Sequence, residues 1–325
     1  MFCPYCAIDH DQATHMSLEH LVPYAMGGAS EFTINVCEVS NNEFGGSIDR
    51  PLIEFFPIRS ARFFLGLKGT DGTEPTLNLG GITYIRGREF PLKNVISPEG
   101  KDMRLTGRII ERTANEVDGE SWKLIGNPKA IRKAIAGKIQ DQASKGKWVM
   151  DDKGRFVTLE NLDQLLAESM QTIQNPSVLQ RIDFDYLWTW RFFSKLALGV
   201  GHYIFGQEFS LSARAAQFRT VMRAETLEEA ILPRAVVFPE THSLPPQFAR
   251  LKTQDVHTLT VCHGRPRLLV VSLFGWLDAC VSLDDIDASE DMIPGEMDVF
   301  EITLPDRRFS KYTIYEYMRL CQTKR

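Results

Sequence analysis

Residues 19–23 read Glu-His-Leu-Val-Pro, followed by Gly27-Gly28, by Asn35-Val36-Cys37, and by Ser40-Asn41-Asn42-Glu43-Phe44-Gly45-Gly46-Ser47-Ile48-Asp49. A short apolar strand over Met16–Pro23 ends near His20. Gly27-Gly28 makes a turn, and Phe32–Val39 forms a second strand. From Ser40 the period changes to helical, with Phe44, Ile48, Leu52 and Phe55/Phe56 three to four residues apart. Ser40 is a suitable N-cap, since its hydroxyl can accept from an early helix N–H. Pro51 is expected to bend or break this helix.

Working outward, Cys3 and Cys6 stand just upstream in Cys-Pro-Tyr-Cys. Their spacing lets one metal ion be clamped by two thiolates. Cys37 is a third ligand if the second strand folds back beside the knuckle. A fourth cysteine would fall three residues on, but position 40 is serine, a poor zinc ligand. His10, His15 or water can fill the gap. The plain alternative is that these are small buried cysteines with no metal.

Neighbours on a strand point to opposite faces. Glu19 and His20 therefore serve one centre only if the strand ends or bends there, as Pro23 and the turn suggest. His20 has the ordinary pKa of a general base, and Glu19 offers a hard oxygen to a divalent cation. Asn41 and Asn42 add side-chain carbonyl oxygens at the helix start, although asparagines there are commonly caps. Asp49 follows Asn41 by two helical turns, so both can face one side. It can equally pair with Arg50 or Arg59 in solvent.

Taken in order, Cys-x-x-Cys, Glu-His-Leu-Val-Pro, Gly-Gly, Cys37, Asn41-Asn42-x-Phe-Gly and Ile-Asp resemble the HNH endonucleases. The likeness is to the subgroup reading Cys-x-x-Cys, Glu-His-x-x-Pro, Gly-Gly, Cys-x-x-Cys-Asn-Asn-x-Phe-Gly and Asp. It covers roughly residues 3–52. The resemblance implies a ββα-metal fold, two antiparallel strands and a helix gripping one divalent ion. It implies His20 as general base, Glu19 and Asn41 as ligands of a catalytic Mg²⁺ (or Mn²⁺), with Asn42 the alternative by one register and Asp49 a further candidate ligand of the same cation. It implies Cys3, Cys6 and Cys37 as three of four ligands of a structural Zn²⁺, with Ser40 replacing the fourth. The reaction it implies is phosphodiester hydrolysis leaving 5′-phosphate and 3′-hydroxyl ends, on DNA or, as a variant, RNA.

The rest of the chain bounds this reading. A chain of 325 residues with 43% hydrophobic and 24% charged residues is an ordinary globular protein with room for two domains. The net charge of −5 argues against a protein that coats nucleic acid broadly. Six cysteines, three of them in the first forty residues, fit a metal site in a reducing compartment better than a disulfide framework. No signal-peptide pattern opens the chain, and the apolar run Trp188–Phe205 carries Arg191, Lys195 and His202. That run reads as a buried helix, so a cytoplasmic protein without membrane partners is expected.

The expected fold class is α+β: an HNH module over residues 1–56, then a larger mixed α+β region over 57–325 for target recognition. Glycines and short apolar segments suggest a small sheet over 57–120. Residues 121–232 read mainly as helix, with Asn175-Pro176 as a break. Residues 233–325 read as strand-rich, with strands at Ala235–Phe238, Thr258–Cys262, Arg267–Phe274 and Met297–Leu304, and a closing helix at Tyr312–Cys321.

Residues 1–50 contain one arginine, Arg50, and no lysine, against seven acidic residues. Nucleic-acid contact must therefore come from elsewhere. Between Lys123 and Lys147 lie seven Lys/Arg against Asp141 alone. Lys129, Arg132, Lys133 and Lys138 are the expected phosphate contacts, with Arg59 and Arg62 as further candidates. A solvated helix face is the plain alternative. A non-catalytic zinc module that only docks nucleic acid or protein is the alternative for the whole.

Overall fold

The computed structural model describes residues 1–11, 13–85, 88–96, 108–115, 119–126, 128–169, 178–179, 185–231, 236–237, 255–284 and 296–323. It is a mixed α+β protein with a small N-terminal strand–helix module.

The module begins with β1 (Phe2–Cys3) paired to β2 (Ile8–Asp9). A second hairpin follows, β3 (Met16–His20) against β4 (Thr33–Cys37), with Glu19 opposite Ile34 and His20 opposite Thr33. Its closure needs both glycines. Gly27 has φ +97°, and a Cβ on Gly28 would lie 1.8 Å from the Val22 carbonyl oxygen. Helix α1 (Glu38–Phe44) starts directly at the end of β4. It widens into a π turn over Gly45–Asp49 and resumes as α2 (Arg50–Glu54), with Pro51 in the first turn, where proline is tolerated. Helix α3 (Phe56–Phe64) follows.

The expected sheet over 57–120 therefore begins later. Pro57 starts a helix, and Ile58 and Arg62 bury one face of it. The strands are β5 (Leu77–Ile85), β6 (Arg88–Ile96), β7 (Arg108–Asn115) and β8 (Gly119–Gly126), paired as two hairpins. Helices α4 (Pro128–Ser144) and α5 (Leu162–Ser169) and the short strand β9 (Val178–Leu179), paired with β5, complete this compact unit, Thr76–Asp183. Ile131, Ala134, Leu162 and Leu165 are its described buried helix residues. The Asn175-Pro176 break lies outside the described residues.

The other compact unit joins Met1–Pro75 to Phe184–Arg325. Helix α6 (Tyr186–Ser210) is capped by Asp185, whose carboxylate accepts from Leu187 N–H at 2.8 Å. Helices α7 (Ala213–Arg223) and α8 (Leu227–Ile231) follow. Strands β10 (Val236–Val237), β11 (Val256–Cys262), β12 (Leu268–Leu273), β13 (Leu277–Ser282), β14 (Met297–Thr303) and β15 (Arg308–Thr313) form one antiparallel sheet in the order β10-β13-β12-β11-β14-β15. Ala235 and Phe238, the expected ends of the first strand, lie outside the described residues, and β13 and β15 are additional to the sequence reading. Helix α9 (Ile314–Thr323) ends the described chain. No helix among the described residues is long and apolar enough to cross a membrane.

The compact units differ from a division at residue 56. Ile34, Val36, Phe44, Ile48 and Leu52 of the module share one core with Phe192, Phe193, Leu196 and Leu198 of α6, and with Leu259, Val261, Phe300 and Ile302 of the sheet. The reason is size: so short a module has too little apolar area to close a core alone. Hydrogen bonds reinforce the union. His257 in β11 accepts the Phe274 N–H at Nδ1 and donates from Nε2 to the Met26 carbonyl, at 3.1 and 2.8 Å. Arg219 in α7 donates to the Pro4 carbonyl at 3.2 Å, bracing the cysteine knuckle.

Candidate active site and metal centre

The knuckle is formed by the β1–β2 hairpin, with Ala7 N–H bonded back to Cys3 O at 2.9 Å. It places Cys3, Cys6 and His10 beside Cys37 at the end of β4. The potential ligand atoms of these four residues all lie within 4.8 Å of one another. Cys6 Sγ is 3.2 Å from His10 Nε2 and 4.0 Å from Cys37 Sγ. Two thiolates on one tetrahedral zinc, at about 2.3 Å each, stand roughly 3.8 Å apart, so the spacing suits such an ion. The cluster could hold a metal ion such as zinc.

His10 thus takes the fourth place, and His15 lies exposed. Ser40 is beside the cluster, with its Oγ 3.3 Å from Cys37 Sγ. Burial pushes the Cys37 thiol up, but hydrogen bonds from Ser40, Cys3 and Cys6 outweigh it and hold the thiol below its usual range. A lowered thiol pKa favours the thiolate that binds metal at Cys37, whereas burial pushes the Cys6 thiol up to about 12. The six cysteines are free thiols.

Tyr5, between Cys3 and Cys6, is fully buried and leads to a second cluster. Its ring lies 5.8 Å from Lys195 Nζ. Lys195 projects from the middle of α6 and is 3% exposed. Its ammonium donates to Asp49 Oδ2 at 2.5 Å and forms an ion pair with Glu19 Oε1. Glu19 and Asp49 are themselves 9% and 8% exposed. Asp49 reaches the cluster because of the π turn. With wider spacing, Asp49 falls on the same buried side as Phe44, five residues before it. Gly199, one turn after Lys195, lets α6 approach the hairpin, since a Cβ there would lie 2.5 Å from Leu21 Cδ2.

One ammonium cannot neutralise two carboxylates. Burial pushes Asp49 up to about 6 against the pull of Lys195, and the Glu19 charge adds to the rise. Burial alone would lower Lys195, but Asp49 and Glu19 together hold it above its usual range, so it stays charged. Asp49 Oδ1 is buried with no hydrogen-bond partner, and Glu19 Oε1 meets Lys195 without hydrogen-bond geometry. The unpartnered Asp49 oxygen suits a hard cation, while the Lys195 ammonium already occupies the space between the two carboxylates.

Directly opposite residues of an antiparallel pair share a face. Ser17 and Glu19, opposite Val36 and Ile34, therefore face inward. Asn41 lies on the same side, donating from Nδ2 to Ser17 Oγ at 2.9 Å. Asn42 is exposed, so the register favours Asn41. His20 occupies the opposite face at the last paired position of β3. Its ring meets Tyr24 edge-on at 5.3 Å, and its Nε2 is buried without a partner. Burial, and then the charge of Arg307, hold the imidazole below its usual pKa, so it is neutral near pH 7.

The structure thus brings together Glu19 and Asp49, sets Asn41 on their side of the hairpin and His20 on the other. The expected phosphate contacts lie on α4 in the other compact unit. Lys129, Arg132 and Lys133 are exposed and Lys138 is half-buried. Arg132 is bound to Asp163 by two hydrogen bonds of 2.5 and 3.0 Å. Arg62 is turned inward, donating to the Ala25 carbonyl at 2.6 Å, and Arg59 pairs with Glu54 at 2.5 Å.

Two residues near the site carry no motif signal. Lys195 could have been suspected as a lone lysine in an apolar run, because a buried charge requires a partner. Arg307 has no comparable sequence signal. Comparison with protein-family models, with curated proteins and with solved structures returned no match.

Proposed function

We propose that the protein is a divalent-metal-dependent endonuclease of the HNH type, hydrolysing phosphodiester bonds in nucleic acid, with DNA as the expected substrate. One observation carries this reading: buried side-chain atoms lacking a hydrogen bond fall on Glu19, His20 and Asp49 of the same short hairpin–helix. Buried polar atoms are ordinarily satisfied. Asp49 Oδ1 and His20 Nε2 have no partner and Glu19 Oε1 has only the Lys195 ammonium, so these motif residues, on the two faces of the hairpin, are the candidate ligands.

His20 is the general base in this reading, acting at the last paired position of β3 from the face opposite Glu19 and Asp49, so that water and phosphate must reach it around the strand end. Its neutral imidazole at the strand end takes a proton from the attacking water. Glu19, Asp49 and the Asn41 carbonyl are the oxygen donors for Mg²⁺ or Mn²⁺. A divalent ion there supplies charge stabilisation at the phosphoryl oxygen and the departing 3′ oxygen. The His10-completed cysteine cluster is a structural zinc site, fixing the knuckle on which Tyr5 and the hairpin rest. The basic face of α4 contacts nucleic-acid backbone.

A second reading is favoured by Lys195. Its ammonium already engages both carboxylates, as expected of a non-catalytic module in which a protein cation has replaced the metal. Incubating the protein with end-labelled duplex and single-stranded DNA, with and without Mn²⁺, separates the two. Cleavage giving 5′-phosphate and 3′-hydroxyl ends supports the nuclease; DNA binding without any metal-dependent cleavage supports the module.

A further inference from the structure

Phosphodiester chemistry needs positive charge or N–H donors at the non-bridging oxygens, and the first 49 residues contain no lysine or arginine. The fold provides one from the far end of the chain. Arg307 stands in the turn joining β14 to β15, and its guanidinium carbon lies 3.6 Å from the centroid of the Tyr24 ring. Tyr24 begins the single 3-10 turn that follows β3, and the same ring meets the His20 imidazole at 5.3 Å.

The arginine is held firmly yet left incomplete. One terminal nitrogen donates to the Lys68 carbonyl at 2.9 Å. Its Nε is buried and has no hydrogen-bond partner. The backbone at Arg307 has φ +56°, a left-handed conformation that is uncommon for a side chain of this size and is held where its surroundings dictate it. The Nε2 of His20, whose ring meets the same Tyr24 ring, is also without a partner. A planar cation with a spare donor, stacked on an aromatic ring that also meets an imidazole, has the chemistry of a phosphate clamp.

We propose that Arg307, with Tyr24 and His20, forms an anion site that takes a phosphate group, Arg307 binding the non-bridging oxygens beside the imidazole. The assignment of that phosphate to a nucleic-acid backbone rests on the nuclease reading above.

The test follows the His20 ring resonances of the full chain by NMR at fixed pH, without added divalent ion. Two probes are titrated separately: inorganic phosphate and a short single-stranded DNA oligonucleotide. A saturable His20 shift with the oligonucleotide is expected, weakened at least tenfold in Arg307→Gln and several-fold in Arg307→Lys, which keeps the charge but loses the planar stacked fork. The lysine variant keeps the test informative if the glutamine variant fails to fold. A shift with inorganic phosphate alone would assign a free-phosphate site and remove the substrate role. The proposal is overturned if His20 responds to neither probe, or responds equally in wild type and Arg307→Gln. An oligonucleotide-dependent shift in a protein that cuts no nucleic acid would leave the anion site standing and remove the nuclease reading.

Discussion

Replacing Lys195 by Met isolates the buried charge cluster. Methionine keeps a flexible chain of similar length and similar helix propensity, so α6 and its apolar contacts persist. What is lost is the ammonium between Glu19 and Asp49, whose side chains are each 11% exposed. Removing one partner from a buried ion pair typically costs about 3–5 kcal/mol, because the remaining charge is left uncompensated. Here two like charges remain, so the upper part of that range is expected at pH 7. The pH dependence has a definite sign. Asp49 already has its pKa raised to about 6 with Lys195 present, and removing the cation raises it further. A carboxyl raised in the folded state adds stability when protonated and loses it as pH rises. The deficit of Lys195→Met should therefore shrink as pH falls from 7 toward 5. Urea denaturation at several pH values measures both effects, with Lys195→Arg as the charge-preserving control. A loss below about 1 kcal/mol, against the 3–5 expected for a buried pair, would refute the cluster's role, as would a deficit that does not shrink in acid.

Other perturbations test other contacts. His257 is fully buried, and burial lowers its pKa to about 4 against the hydrogen bond to Met26. Its contribution is intact above the unfolded pKa near 6.5 and falls as pH drops toward 4. Between pH 7 and 5 this one residue should remove about 2 kcal/mol of stability, a dependence that His257→Gln should flatten in urea titrations. Removing metal from the Cys3–Cys6–His10–Cys37 cluster should lower the melting temperature by many degrees, since structural zinc contributes to folding directly. Elemental analysis should find one zinc per chain in wild type and much less in His10→Ala, whereas equal occupancy would exclude His10 as a ligand. Gly199→Val places a side chain against Leu21, where a Cβ meets Cδ2 at 2.5 Å, and should cost roughly 1–3 kcal/mol by overpacking; a neutral result by calorimetry would show that α6 can withdraw.

The hairpin and helix were legible because their signals are local. The strand expected over Phe32–Val39 and found at Thr33–Cys37, the Gly27-Gly28 turn and the apolar spacing of Phe44, Ile48 and Leu52 each rest on signals within a few residues. The cysteine knuckle was legible for the same reason, and His10 is near enough in sequence to be a candidate. Counting α-helical turns sets Asp49 on the side of Asn41, whereas its buried position follows from a π turn that the sequence does not reveal. Lys195 is the opposite case. It lies 146 residues from Asp49, and periodicity cannot show which distant helix will cover a hairpin. The helix over Phe56–Phe64 is not evident from glycines and short apolar segments that read as a sheet, although Pro57 suits a first helical turn. The boundary at residue 56 was drawn from a motif's extent, whereas the physical unit is set by the apolar faces that must be covered. Arg307 entered the site through tertiary packing alone.

The most direct measurement of the central claim compares wild type with His20→Ala for cleavage of supercoiled plasmid and single-stranded DNA in Mg²⁺ or Mn²⁺. Circular dichroism and zinc content would establish that both proteins are folded alike. The account predicts metal-dependent cutting by wild type and a loss of about 10²-fold or more in the variant, as expected on removing a general base. Undiminished cutting by His20→Ala would move the active site elsewhere, and no cutting by either protein, with DNA still bound, would contradict the nuclease reading and leave a binding module.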